Sequence, residues 1–168
     1  MSASAADYSP LYQTGSFSIE AWYRGDSSMT SRPEVVMAKG TDENPHDNGG
    51  ILLYARPSAQ IFLADGSAVS LVAPTATSAG TWHYCVATWN STAGQAVEYL
   101  DGAQISVIKQ SFSIVANGNP FTIGEQALSG YNYTFSGLIS DVAIYSYALN
   151  SDQIAKHFAA GKLSHPSE

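Results

Sequence analysis

Two groups of residues in this sequence have the types and spacing to do chemistry. The stretch from residue 41 to 50, TDENPHDNGG, gathers Asp42, Glu43, Asn44, Asp47 and Asn48. Carboxylate and amide oxygens are the hard donors that calcium prefers. Asp42, Glu43 and Asp47 are therefore candidate metal ligands, and Asp47 and Asn48 candidate ligand contacts. Their spacing matches no known calcium loop, and a solvated acidic turn is the plainer reading. The second group is Tyr131, Asn132 and Tyr133 in the Gly-flanked stretch GYNYT. A sugar ring offers a C–H face that stacks on tyrosine or tryptophan, and hydroxyls that need amide or carboxylate partners. Two tyrosines around an asparagine could supply both; packing against the edge of a sheet is the competing reading. Trp22 joins the candidates because its strand neighbours Glu20 and Arg24 are polar, which could place it on an open concave face.

Catalytic patterns are not found. Glycoside hydrolysis needs two carboxylates flanking one bond, roughly 5 Å or about 6.5–9.5 Å apart. The glutamates at 20, 34, 43, 98, 125 and 168 are all isolated. Two carboxylates facing one cleft would be the structural mark of such an enzyme. No serine nucleophile elbow or phosphate-cradling glycine loop is present. His46, His83, His157 and His165 have no spaced partners for zinc. The sequence is expected not to be an enzyme.

The bulk properties narrow the partners. Charged residues are only 12% of the chain, with 7 Lys and Arg against 14 Asp and Glu, a net charge of −7. Phosphate binding needs clustered cations, so nucleic acid is excluded, and anionic membranes are disfavoured for the same reason. No apolar run approaches the roughly 20 residues that span a bilayer. The single cysteine, Cys85, rules out an internal disulfide and reads as a small buried hydrophobe. No charged segment and apolar core follow Met1, so no secretion leader is read here. Residues 1–168 are expected to form one domain, a monomer, burying about two-thirds of the unfolded surface.

The elements that must position the candidates are strands. Residues 17–24, FSIEAWYR, alternate with period two. Further strands are predicted at 35–38, 51–56, 60–64, 67–72, 82–89, 96–100, 104–109, 121–124 and 135–145. Turns fall at Pro57-Ser58-Ala59, Asp65-Gly66 and Asp101-Gly102. A helix begins near Asn150, with a capping box to Gln153, a staple between Leu149 and Ile154, and Gly161 as its stop. So many short strands in a row predict an all-β, two-sheet antiparallel sandwich with one short C-terminal helix.

Four segments carry a resemblance: FSIEAW at 17–22, GTWHYCVATWN at 80–90, VEYLDGAQI at 97–105, and FSGLISDVAIYSYALNSDQI at 135–154. They resemble the laminin-G-like jelly rolls of the concanavalin A-like lectin/glucanase superfamily, in order and spacing over most of the chain. That resemblance implies an extracellular or cell-surface recognition module within a larger protein. Its partner would be carbohydrate or, alternatively, protein, and neighbouring domains of the parent chain would adjoin it. It also implies structural roles for Trp82, Trp89 and Tyr145. Members often read Gly-x-Ile-Asp in the last strand, where the Asp helps bind calcium. Here that position is Ser140, and Asp141, one residue later, is expected to face the other way.

Overall fold

The computed structural model describes residues 2–3, 15–26, 34–39, 50–56, 58–63, 65, 67–74, 76–113, 119–125 and 133–166. The strands among them are β1 (Ser2–Ala3), β2 (Phe17–Gly25), β3 (Val35–Lys39), β4 (Ile51–Tyr54), β5 (Ser58–Phe62), β6 (Ala68–Val72), β7 (His83–Asn90), β8 (Gln95–Leu100), β9 (Ala103–Lys109), β10 (Phe121–Ile123) and β11 (Gly137–Tyr145). They form two antiparallel sheets, ordered β1-β10-β3-β4-β5-β6 and β11-β2-β7-β8-β9. The expected jelly-roll sandwich is what the chain builds.

Period-two alternation sorts each strand into two faces. On β2, Phe17, Ile19, Ala21 and Tyr23 point between the sheets and are fully buried. They meet Ile51 and Leu53 of β4, Ile61 of β5 and Cys85, Ala87 and Trp89 of β7. Phe17 and Trp89 are cross-strand partners whose rings stack at 4.6 Å. Glu98 of β8 is also buried, and its Oε1 accepts from the Cys85 thiol at 3.8 Å. Cys85 is thus buried as expected, though it serves a polar group.

The outward faces are covered too. On the six-stranded sheet, Ala38, Leu52, Tyr54 and Phe62 are buried, with Tyr133 packed on them. On the five-stranded sheet, Trp22, Tyr84, Val86, Val97 and Tyr99 lie beneath Leu149 and Ile154. That cover is α1 (Ser151–Gly161), which begins where the capping box places it. The Gln153 amide N–H donates to Asn150 Oδ1 (2.9 Å), and the Asn150 N–H donates to Gln153 Oε1 (3.0 Å).

Three local expectations are corrected. The 54–58 hairpin pairs Tyr54 with Ser58 and turns at Ala55-Arg56, ahead of the predicted Pro57-Ser58-Ala59. Gly161 does not stop the helix by turning left-handed, since the cap is Lys162 in ordinary helical conformation (φ −56°). Gly161 is there for space, because a Cβ on it would lie 2.3 Å from Trp22 Nε1. In β11 the register steps from Ser140 opposite Trp22 to Ala143 opposite Glu20, so Asp141 and Val142 both face Ala21. This is a β-bulge, with Asp141 at φ 50°. Ile139, Val142 and Ile144 all pack inward around it.

Candidate functional site

The bulge and the helix together make a cleft on the outward face of the five-stranded sheet. Its volume is about 370 Å³, and its walls are Glu20, Trp22, Tyr84, Asp141, Tyr145, His157, Ala160, Gly161 and Ser164. β2 contributes the outward row Ser18, Glu20 and Trp22. Ser18 fixes the approach to the helix: its hydroxyl donates to the Tyr147 carbonyl (2.9 Å) and accepts from the Leu149 N–H (2.8 Å).

Glu20 is the polar centre. It is 7% exposed, and a carboxylate so buried needs partners. Its Oε1 accepts from the Tyr145 hydroxyl at 2.8 Å. Its Oε2 accepts from the Tyr84 hydroxyl at 2.5 Å and lies 3.0 Å from His157 Nδ1. Burial first, and then the hydrogen bond to Glu20, push both phenols far above their usual range. They remain protonated donors at any physiological pH. Strands β2, β7 and β11 and the helix thus meet at one carboxylate.

The aromatic walls are layered. Trp22 is stacked by His165 (4.6 Å, 9° between planes) and by Phe158 (5.6 Å, 13°), and it tilts against Tyr84 at 5.3 Å. His165 Nδ1 lies 3.0 Å from the Gly161 carbonyl, and its Nε2 is 3.6 Å from Asp141. Tyr145 tilts against His157 at 5.8 Å and against the half-exposed Tyr147 at 5.7 Å. Across the helix start, a second cleft of about 250 Å³ carries Thr88, Asn90, Gln95, Tyr99, Asn150 and Ser151 in its walls, all neutral hydrogen-bonding groups.

The residues singled out in the sequence do not come together. Trp22 is 3% exposed and roofed by the C-terminal segment, not laid out on an open concave face; it reaches the site as a cleft wall. Tyr133 lies on the outward face of the other sheet, on the opposite side of the sandwich. Tyr131, Asn132, Asp42, Glu43, Asp47 and Asn48 lie outside the described residues. Trp89 is core, Trp82 packs at the edge of the outer aromatic cluster, and Tyr145 is a cleft wall. His83 hydrogen-bonds locally, with Nδ1 at 2.9 Å from Asp101 and Nε2 at 3.1 Å from Ser78.

Sequence reasoning missed Glu20, Asp141 and His157 as a group. Asp141 was legible in principle: the apolar steps Ile139, Val142, Ile144 contain one residue too many for a regular strand. That extra residue carries Asp141 to the outward face, against the expectation of a simple one-residue flip. Glu20 and Asp141 therefore do line one cleft. However, both Glu20 oxygens already accept from a phenol and one also lies 3.0 Å from His157 Nδ1, while Asp141 is held 62% exposed at the rim. At the family's calcium position stands Ser140. Among the described residues no three of His, Cys, Asp and Glu gather as metal ligands.

No curated protein matches the sequence. Solved structures of the same fold include CBM40 of the Ruminococcus gnavus IT-sialidase (TM-score 0.69, 17% identity, covering 88% of this chain and 85% of that one). That domain has also been solved bound to α2,3-sialyllactose. Domain 4 of AbnA, a GH43 extracellular arabinanase from Geobacillus stearothermophilus, in complex with arabinotriose, is similar at TM-score 0.66 and 16% identity, covering 88% and 68%. The native heptameric SAP-like pentraxin from Limulus polyphemus follows at 0.63 and 16%, covering 84% and 69%. At these identities the likeness is one of fold. A laminin G model matches residues 2–155, and with it the chain belongs to the concanavalin A-like lectin/glucanases superfamily.

Proposed function

We propose that this chain is a non-catalytic carbohydrate-binding module, one accessory domain of a larger secreted or surface protein. The observation that carries this reading is the 370 Å³ cleft, which joins aromatic walls to hydrogen-bonding side chains in the way a sugar requires. Its size is at the small end of ligand sites, about 300–1,000 Å³. The fold supports the reading, since two of the similar structures were solved with an oligosaccharide bound. Among the described residues no helix is long and apolar enough to cross a membrane. A shallow site of this kind gives micromolar to millimolar affinity. Calcium held by Asp42, Glu43 and Asp47 belongs to the same reading as a structural ion.

An array of immobilised glycans, probed once with calcium and once with EDTA, tests it. Retention on a defined subset is expected, with weaker retention in EDTA. Silence across the array contradicts a lectin and favours a module that contacts protein. Because Glu20 and Asp141 share the cleft, a second reading as a glycosidase has a specific basis. Release of new reducing ends from retained oligosaccharides, abolished by Glu20→Gln, would establish it.

A further inference from the structure

The charge on the cleft walls bears on which sugars it admits, an inference that rests on the binding role proposed above. Among the described residues, Glu20 and Asp141 are its acidic groups and no Lys or Arg lines it. Two cations belong to the surrounding aromatic cluster, and both are placed over rings: Arg24 at 5.6 Å from the Trp82 centroid and Lys162 at 5.5 Å from that of Phe158. The other titratable groups facing the cleft are already turned to its acids. His157 and the two phenols meet Glu20, and His165 meets Asp141.

The two carboxylates differ in availability. Glu20 is buried with both oxygens accepting, so it contributes negative potential more than contact. Asp141 is 62% exposed, and the bulge fixes where it points. Its left-handed backbone (φ 50°) is one that Asp tolerates better than most side chains. A ligand settling in the cleft therefore meets an exposed carboxylate at its rim. A carboxylated sugar would lose water there beside the exposed Asp141 carboxylate, with no Lys or Arg among the described residues of the walls; a neutral sugar would find hydrogen-bond acceptors. Like-charge juxtaposition is a strong means of excluding wrong partners.

We propose that Asp141 is a specificity-determining residue, and that the cleft admits neutral glycans while excluding carboxylated ones such as sialylated and uronic-acid oligosaccharides. This would set the chain apart from the CBM40 neighbour that was solved with sialyllactose.

The test is a glycan array of matched pairs, each neutral oligosaccharide beside its sialylated or uronic counterpart, at low and at physiological salt. Wild type is expected to retain neutral members at least ten-fold better, with the contrast shrinking as salt screens it. Asp141→Asn and Asp141→Gly should each narrow that gap several-fold. The glycine variant suits the same backbone conformation, and matching melting curves for both would exclude misfolding as the cause. Equal or better retention of carboxylated glycans by wild type overturns the charge argument while leaving a lectin. An unchanged ratio in both variants overturns the role of Asp141. No retention of any glycan overturns the binding role itself, and this inference with it.

Discussion

Glu98 reaches from β8 into the space between the sheets, where Cys85 bonds one oxygen and Oε2 has no partner among the described residues. Burial pushes its carboxyl from 4.5 up to about 8 and raises the Cys85 thiol as well. The folded chain therefore holds a proton that the unfolded chain has released across that window. Stability from this group is fully present below about pH 4.5 and is lost as pH rises to about 8, at up to about 1.4 kcal/mol per unit. Urea melts of Glu98→Gln at intervals from pH 4.5 to 8.5 should show a shallower decline than wild type. Parallel profiles would mean that Glu98 ionises freely. Val97 and Tyr99 lie under the helix, and period two therefore leaves Glu98 and Ala96 for the inner face, an orientation set by packing and not by residue type.

The helix is the element that most changes the sheet beneath it. Its start was legible because Asn150 and Gln153 cap by local rules. Its end at Gly161 was legible too, but not the reason for it, because Gly161 answers to Trp22, more than a hundred positions away. That contact makes opposite predictions for Gly161→Ala. Helix propensity alone favours alanine by about 1 kcal/mol. The Cβ, 2.3 Å from an indole already packed by Tyr84, Phe158 and His165, forces overpacking that costs about 1–3 kcal/mol. Thermal melts should show a lower melting temperature for the alanine variant; a higher one would mean that the helix is free of Trp22. The bulge in β11 follows the same logic. Glycines, capping residues and even alternation are local signals, whereas a one-residue insertion that re-aims Asp141 shows only as a misstep in the inward row.

At the scale of the molecule, the sandwich was readable because alternation, turn chemistry and the spacing of the strands all agree. The Asp101-Gly102 turn, with both residues at positive φ, is one such local agreement. The cleft was not readable, because β2, β7, β11 and the helix each contribute residues distant in sequence. Glu20 and His157 are 137 positions apart and meet at 3.0 Å. Exposed aromatics near loop tips were the more visible signal, yet Tyr133 packs on the far sheet. The most direct check is an NMR titration of the uniformly labelled chain with a neutral oligosaccharide retained on the array. Shift changes should cluster at Glu20, Trp22, Tyr84, Asp141, Tyr145 and His157. Changes confined to the opposite sheet around Tyr133, Leu52 and Tyr54, with this cleft silent, would contradict the account.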